Sequence, residues 1–381
     1  MKEEIYFDCS ATTRPYPEVL KTFDDVSFKH FANPSSNHAL GYESSALLEK
    51  ARLQIAKYLS VSNDEIIFTS GATEGNNLAI KGTCYHNKGW AKRIITTKAE
   101  HPSVLQVFDE LSKEGFEVVY LDYDKDGKLD LEELKNSLND HTSLVSVMAI
   151  NNEIGYVFPI REVYQLVHKY SKAVLHVDAT QAIGKEDIDS SYYDLLTFSG
   201  HKIGGLKGSG LLIKKKNVEL DAQILGGGQE KGLRSGTLAV GLDCSLATAV
   251  RMTLSSMPAR KEKARQLNSY LRDELSKIDE VEITSPLDAT PFILNFALRV
   301  HKGSVVAEAL SNSGIYVSTK SACSSKEPGL SYVLKNAGYS EDIARNSIRL
   351  SFSGLEDMEE GTNFISELKK ILSTLKEDNK K

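Results

Sequence analysis

An aspartate, a histidine and a lysine follow two short apolar segments of the sequence. Asp178 comes directly after the apolar residues 173–177, and His201 and Lys202 come shortly after the apolar residues 195–198. Short apolar runs bounded by polar and glycine residues are typical of buried strands in an α/β sheet, which binds ligands at the carboxyl ends of its strands. We therefore expect one crevice to contain Asp178, Gln181, Ser199, His201 and Lys202.

These side chains suit one cofactor chemistry in particular. A lysine amine can form a Schiff base with the aldehyde of pyridoxal phosphate, and an aspartate can pair with the ring nitrogen of that cofactor. An isolated Lys202 would be interpreted as a surface lysine, but Asp178 and His201 at neighbouring strand ends favour the cofactor site.

Further segments place polar groups at predicted strand ends. The strand 65–69 is followed by a glycine turn and a helix start at Ala72 and Thr73, where free backbone N–H groups attract an anion such as phosphate. His101 and Asn152 each follow a later predicted strand. They are therefore expected on the same side of the sheet.

Two residues in the C-terminal part of the sequence limit the range of possible reactions. In the predicted strand 347–351, alternation places Arg349 on the face opposite its apolar neighbours. Such an arginine can bind a carboxylate through paired hydrogen bonds, and a structural ion pair is the alternative. Cys323 lies among small polar residues with lysines on both sides. A thiol near positive charge has a lowered pKa and is nucleophilic, whereas a structural cysteine has apolar neighbours.

The order and spacing of these motifs resemble the cysteine desulfurases of the class V aminotransferase family. The resemblance rests on His-Val-Asp-Ala-Thr-Gln at 176–181 and Ser-Gly-His-Lys at 199–202, and it extends over residues 6–349. It implies an α/β fold, that of the pyridoxal-phosphate-dependent transferases of fold type I. A large domain would contain a mostly parallel seven-stranded sheet, beside a smaller α+β domain.

The pattern of apolar residues changes at about residue 256, where long amphipathic helices, 261–278 and 357–376, alternate with short strands. The predicted large, cofactor-binding domain is 13–255. The predicted small domain comprises 1–12 and 256–381 and carries the loop of the catalytic cysteine.

The resemblance also implies a role for each candidate residue. Lys202, Cys323 and His101 would be catalytic, with Cys323 on the long mobile loop of the iron–sulfur cluster assembly and nitrogen-fixation subtype. Arg349 and Asn152 would bind the substrate. The cofactor would be bound by Lys202, Ala72, Thr73, His101, Asn152, Asp178, Gln181, Ser199, His201 and Thr237. No resident metal is expected, although Cys323 could contact an iron–sulfur cluster during delivery.

The implied reaction converts L-cysteine to L-alanine and passes the sulfur, as a persulfide on Cys323, to a protein acceptor for iron–sulfur cluster, tRNA-thiolation or cofactor synthesis. In this family the glycine-rich segment 226–237 crosses a dimer interface and brings Thr237 to the neighbour's phosphate, so a homodimer is expected. The alternatives are a selenocysteine lyase, another class V aminotransferase or lyase, and a non-catalytic sulfur-trafficking scaffold. The preference between cysteine and selenocysteine stays open. The acceptor also stays open, because several positions differ from the usual family residues: Gly204, Leu206, Gln229 and Lys320.

The composition argues against several other classes of protein. The 381 residues are 41% hydrophobic and 26% charged, which suits a globular chain of two domains. A net charge of −6 without an extended basic patch indicates no nucleic-acid partner. The sequence contains no apolar run of membrane-spanning length and no recognisable signal or transit peptide, so a cytoplasmic protein is predicted. The four cysteines are far apart, which argues against zinc and against disulfides.

Overall fold

The computed structural model describes residues 4–319 and 329–378 of the chain. Its β-strands, numbered in chain order, are β1 (Ile5–Tyr6), β2 (Ile66–Thr69), β3 (Arg93–Thr97), β4 (Glu117–Leu121), β5 (Thr142–Met148), β6 (Val174–Asp178), β7 (Leu195–Ser199), β8 (Gly210–Lys214), β9 (Val281–Ile283), β10 (Ile293–Leu298), β11 (Ile315–Tyr316) and β12 (Ser347–Ser351). Its α-helices are α1 (Pro17–Lys29), α2 (Ala39–Leu59), α3 (Ala72–Asn87), α4 (Pro102–Lys113), α5 (Leu131–Ser137), α6 (Ile160–Tyr170), α7 (Val240–Ser276), α8 (Gly303–Asn312), α9 (Tyr332–Asn336), α10 (Glu341–Arg345) and α11 (Met358–Asp378). Short 3₁₀ helices occupy Asn63–Glu65, Gly200–Lys202 and Glu230–Gly232. Among these described helices, none combines the length and the apolar character needed to cross a bilayer.

The central sheet has seven strands in the order β2-β8-β7-β6-β5-β3-β4. Strand β8 runs antiparallel to β2 and β7, and the other neighbouring pairs are parallel. All seven residues of β5 are buried, as expected for a parallel strand with helices over both faces of its sheet. The predicted α/β fold with a mostly parallel seven-stranded sheet is therefore confirmed.

The parallel strands bring their carboxyl ends to one edge of this sheet. Strands β6 and β7 are neighbours in the sheet and end at Asp178 and Ser199, with Asp178 in register with Thr197. Helix α3 begins directly after β2, and α4 begins shortly after β3. Polar residues at these strand ends and helix starts therefore face a common crevice, where open α/β sheets bind their ligands.

A second group of elements packs beside the central sheet. Strands β12, β10 and β9 form an antiparallel sheet, and β1 pairs in parallel with β11. Their apolar side chains form a core with α8 and α11 that includes Phe7, Phe296 and Phe364. This core is separate from the larger cluster beneath the seven-stranded sheet.

Helix α7 joins the two cores and corrects one prediction. The sequence predicted a helix over 261–278, whereas α7 runs from Val240 to Ser276 through Pro258. Most residues of 240–253 are buried, so this half of the helix lacks the amphipathic period that marks a surface helix. Its C-terminal half adds Leu267 and Leu271 to the smaller core. The predicted boundary at residue 256 falls inside α7, and the division into two domains stays a prediction.

Candidate active site

A cavity of about 250 Å³ opens at the carboxyl edge of the seven-stranded sheet. It is lined by Ser10, Ala11, Ala72, Thr73, His101, Ser103, Met148, Ile150, Asn152, Asp178, Thr180, Gln181, Ser199, His201, Lys202 and Arg349. All candidate residues of the sequence analysis are among them except Cys323 and Thr237. The strand ends and helix starts supply most of the wall. The segment after β1 and strand β12 close the remaining side.

Lys202 lies in the 3₁₀ turn that directly follows β7. Its Nζ donates hydrogen bonds to the backbone carbonyls of Ser10 and Ala11, the latter at 2.7 Å. The turn packs closely behind the lysine, since a Cβ at Gly200 would lie only 2.3 Å from Ser209 Oγ. This packing fixes the lysine at the wall between the sheet and the N-terminal segment.

The buried carboxylate of Asp178 accepts hydrogen bonds from neutral donors. Asn76 Nδ2 donates to its Oδ2 at 2.8 Å, and the backbone N–H of Thr180 donates to its Oδ1 at 2.9 Å. Asn76 is itself oriented, because its Oδ1 accepts a hydrogen bond from Thr197 Oγ1. These two bonds fix the orientation of the carboxylate. Asp178 can therefore present a negative charge to a cationic group of a ligand.

His101 precedes α4, and Ser103 determines which ring nitrogen carries its proton. The backbone N–H of Ser103 donates to His101 Nδ1 at 3.1 Å, and Ser103 Oγ lies 2.8 Å from the same atom. Burial lowers the pKa of His101, the Asp178 charge raises it and Lys202 lowers it. A neutral imidazole whose Nδ1 accepts carries its proton on Nε2. Asn76 Nδ2 also donates to Ser103 Oγ at 2.9 Å, which links the histidine to Asp178.

The first turn of α3 forms a wall of the cavity and offers hydrogen-bond donors that could hold an anion. The backbone N–H of Ala72 donates to Ser199 Oγ at 2.8 Å, and the exposed Thr73 adds a hydroxyl group. The first N–H groups of a helix lack partners within the helix, and its dipole favours negative charge there. His201 also lines the cavity. Burial, with two neighbouring lysines, lowers the pKa of His201 to about 4, so its ring is neutral.

Arg349 reaches the cavity from β12 and is 2% exposed. Its Nη1 donates to the carbonyl of Asn152 at 2.9 Å, and its Nη2 forms an ion pair with Asp8 Oδ1 at 2.7 Å. Its Nε is buried without a hydrogen-bond partner among the described residues. The guanidinium therefore combines the structural ion pair considered from the sequence with a donor that is still unbonded.

Gln181 is held at both ends of its carboxamide group. Its Nε2 donates to the carbonyl of Ser10 at 3.0 Å, and its Oε1 accepts from Lys185 Nζ at 2.6 Å. Ser10 also accepts a hydrogen bond from Lys202. One backbone carbonyl therefore fixes two side chains of the cavity.

Several buried polar atoms of the cavity wall have no hydrogen-bond partner in the described part of the chain: Ser10 Oγ, Asn152 Oδ1, Thr180 Oγ1 and Arg349 Nε. Buried polar groups are normally bonded, so unbonded ones around one cavity indicate a polar ligand. With the Lys202 amine, the Asp178 carboxylate and the start of α3, they fit a compact ligand that carries an aldehyde, a ring nitrogen and a phosphate.

Two candidate residues lie away from this cavity. Thr237 is exposed in the glycine-rich segment 226–237, and it does not line the cavity of its own chain. This segment is anchored because the carboxylate of Glu230 accepts from Arg52 Nη2 and from the backbone N–H of Phe68, both at 2.7 Å. Cys323 lies in 320–328, outside the described residues.

The sequence analysis missed Asp8, Asn76, Ser103 and Lys185. Asn76 lies four positions after Ala72, where the sequence predicts a helix start, but its bond to Asp178 joins residues 102 positions apart. The pairing of Asp8 with Arg349 spans 341 positions. No local pattern reports such contacts.

The fold and the cavity are those of an α/β transferase of fold type I, with a lysine, an aspartate and a helix start at the carboxyl edge of the sheet. The model of the aminotransferase class-V family matches residues 5–363, and the chain belongs to that family.

Similar proteins carry more specific names. The chain is 41% identical over 372 residues to a NifS/IcsS protein homolog of Lactobacillus delbrueckii subsp. bulgaricus, covering 96% of this chain and 97% of that protein. It is 39% identical over 384 residues to the cysteine desulfurase IscS of Clostridium botulinum, covering 99% and 96% respectively. A solved structure of a NifS-like protein matches with a TM-score of 0.92 and 36% identity, covering 98% of this chain and all of that one.

Proposed function

We propose that this protein is a cysteine desulfurase, which converts L-cysteine to L-alanine and passes the sulfur to an acceptor through a persulfide on Cys323. The proposal rests on one observation: Lys202, Asp178 and Arg349 line the same cavity. Asp178 and Arg349 are 171 positions apart in the sequence. The names of the curated relatives, at about 40% identity over nearly the whole chain, support the same reaction.

The residues present fit pyridoxal phosphate, the cofactor of this family. Lys202 would hold its aldehyde, and Asp178 would pair with its ring nitrogen. The first turn of α3, with Thr73, Ser199 and His201, would bind its phosphate. Bound there, the cofactor supplies an electron sink for reactions at the α-carbon of an amino acid.

Arg349 and Asn152 would bind the substrate. The unbonded Nε of Arg349 and its neighbouring Nη2 offer donors to a carboxylate, and Asp8 holds the guanidinium in place. The unbonded side-chain oxygen of Asn152 can accept a hydrogen bond from a ligand. Together these groups would orient the amino acid relative to Lys202.

Lys202 and His101 would handle the protons. Once its amine is released, Lys202 can take the proton from the substrate α-carbon. His101 would act as a donor through Nε2, because its Nδ1 already accepts from Ser103. The lowered pKa of His101 keeps this ring neutral near pH 7.

Cys323 would take the sulfur. Its thiolate would attack the substrate sulfur, forming an S–S bond while the substrate C–S bond breaks. The electron pair of that bond stays with the carbon fragment, which gains a proton and leaves as alanine. The acceptor protein then removes the outer sulfur and regenerates the Cys323 thiol. Relatives named as desulfurases support an acceptor in general, and cytoplasmic localisation stays a prediction.

The assembly would be a homodimer. Phe28 and Phe31, near the end of α1, are 83% and 75% exposed. The loop that follows, at Pro34, lines a surface depression together with Gln229 and Leu238. We infer that these side chains belong to a contact surface, because contiguous exposed apolar patches are typical of such surfaces. A second copy packed here would cover them and bring the exposed Thr237 towards the cofactor phosphate of its neighbour.

The proposal is tested by product analysis. Wild-type protein loaded with pyridoxal phosphate should convert L-cysteine to equal amounts of alanine and sulfide when a reducing agent is present. Lys202→Ala should lose the covalent link to the cofactor, and with it both products. Lys207→Ala, which removes an exposed lysine from the same loop, should retain them. Sulfide without alanine, or full activity in Lys202→Ala, would contradict the proposal.

A further inference from the structure

A second lysine, Lys185, is buried beside the cavity wall and has no role in the proposed reaction. It follows β6 by seven positions and is 4% exposed. Its Nζ donates to Gln181 Oε1 at 2.6 Å. A buried lysine is costly unless it is paired, and the hydrogen-bond partner recorded for Lys185 Nζ among the described residues is the neutral amide of Gln181. A lysine buried against a neutral partner therefore costs stability rather than adding to it.

Two contacts determine which way the Gln181 carboxamide faces. The ammonium form of Lys185 can only donate, so the amide oxygen faces Lys185. The carbonyl of Ser10 can only accept, so the amino group must face Ser10. A flip of the amide would place its N–H groups against Lys185 and its oxygen against a carbonyl, and both hydrogen bonds would be lost.

This orientation matters for a ligand of the cavity. Gln181 Nε2 has two N–H groups, and the bond to Ser10 uses one of them. Ser10 and Gln181 both line the cavity. The second N–H group is therefore a donor for an acceptor atom of the ligand, as long as Lys185 holds the oxygen on the other side.

Lys185 also places a titratable group near Lys202. Burial lowers the pKa of Lys185 to about 7, Cys9 raises it, and Lys202, Arg260 and Arg349 lower it. Its charge state is therefore sensitive to the surroundings at neutral pH. A positive charge at this place disfavours a further positive charge at the lysine–cofactor link.

We propose that Lys185 is a positioning residue that orients the Gln181 carboxamide, so that Nε2 donates to the phenolate oxygen of the bound cofactor. The inference rests on the proposed pyridoxal phosphate function. It predicts that Lys185 sets the acidity of the lysine–cofactor chromophore. A purely structural lysine would set only the stability of the fold.

The test is a spectroscopic titration of the loaded enzyme. In Lys185→Met the chain keeps a side chain of similar length but loses the donor and the charge. The pH midpoint of the visible chromophore should rise by about one unit. The substitution removes a neighbouring positive charge and a donor to the phenolate, and both losses stabilise the protonated form of the lysine–cofactor link. The thermal midpoint should be equal to or above that of the wild type, because a buried charge has been removed.

Two further variants separate this effect from a general disturbance. Lys185→Arg keeps both donor and charge and should return the titration midpoint towards the wild-type value. Lys370→Met, which removes an exposed lysine of α11, should leave it unchanged. An unchanged midpoint in Lys185→Met would overturn the inference. If Lys185→Met does not fold, Lys185→Gln decides in the same way, since its amide can face Gln181 with either end.

The same experiment distinguishes failure of the proposed function from failure of the role assigned to Lys185. A wild-type protein that shows no chromophore after loading contradicts the proposed function itself. A wild-type protein with a normal chromophore and a Lys185→Met variant with the same midpoint contradicts only the role of Lys185.

Discussion

Glu100 is a fully buried carboxyl group next to His101. Its Oε1 accepts from Thr97 Oγ1 at 2.8 Å and from the backbone N–H of Met148 at 2.9 Å, while its Oε2 has no partner among the described residues. Burial raises the pKa of Glu100 to about 8, the two hydrogen bonds lower it and the Asp178 charge raises it. The folded chain therefore binds this proton more tightly than the unfolded chain. The resulting stabilisation is complete below about pH 4.5 and is lost as the pH rises through about 8.

We therefore expect Glu100→Gln to be more stable than the wild type at high pH. Glutamine has the shape of the protonated carboxyl and cannot ionise, so the gain should be on the order of 2–4 kcal/mol at pH 8 and close to zero at pH 4.5. Urea unfolding at the two pH values measures this difference. A stability difference that does not change with pH would show that Glu100 ionises normally in the folded chain.

The sequence was informative about which residues line the cavity and uninformative about how they are bonded. His101, Asp178 and Lys202 follow strand ends, and a parallel sheet gathers those ends at one edge. The bonds from Asn76 to Asp178 and from Lys185 to Gln181 depend on side-chain orientation in the folded chain. Residue type and spacing do not encode that orientation.

At the scale of elements, the position of α3 depends on a close approach between two backbones. A Cβ at Gly210, the first residue of β8, would lie 2.5 Å from Gly71 Cα and 2.8 Å from the carbonyl oxygen of Phe198. Backbone atoms cannot move away from an added Cβ as the end of a flexible side chain can. The contact therefore determines how closely the first turn of α3 approaches Ser199, which accepts from the Ala72 N–H group.

Gly210→Ala should accordingly displace the start of α3. We expect a loss of about 1–3 kcal/mol in the free energy of unfolding. Retention of pyridoxal phosphate should also be weaker, because the first turn of α3, which would bind the phosphate, is displaced. Gly89→Ala is the matched control, since a Cβ there meets no atom within 4 Å. Urea unfolding and cofactor retention on gel filtration measure both effects. A Gly210→Ala protein as stable as the control would contradict the close contact.

The elements themselves were predicted with unequal success for physical reasons. Strands β6 and β7 were identified because short apolar runs end at polar and glycine residues. The N-terminal half of α7 was not, because its burial on most sides removes the periodic pattern that identifies an amphipathic helix. The antiparallel direction of β8 within the sheet is a property of topology, which no single segment reports.

At the scale of the whole molecule, the proposed function requires two copies of the chain. Phe31→Glu places a charge on the exposed apolar surface near the end of α1, where desolvating it in an interface is costly. We expect a shift from dimer to monomer and weaker cofactor retention, since Thr237 no longer reaches the neighbouring site. Leu287→Glu, at another side chain that is 95% exposed, should remain dimeric. Light scattering measures the mass, and a fully active monomer would contradict shared sites.

Sulfur transfer through Cys323 distinguishes the proposed reaction from other amino-acid chemistry, and binding of the cofactor would not require the Cys323 thiol. Cys323→Ser should bind pyridoxal phosphate and change its spectrum when L-cysteine is added, yet it should release almost no alanine, because a hydroxyl lacks the nucleophilicity of a thiolate. Cys244→Ser changes a buried cysteine of α7 and should keep its activity.

The most direct measurement is mass spectrometry of the peptide containing Cys323 after brief treatment of the wild-type enzyme with L-cysteine, paired with alanine release by Cys323→Ser. We expect one added sulfur on that peptide and almost no alanine from the variant. An unmodified Cys323 peptide, together with alanine release by Cys323→Ser at a rate near that of the wild type, would contradict the proposed sulfur transfer.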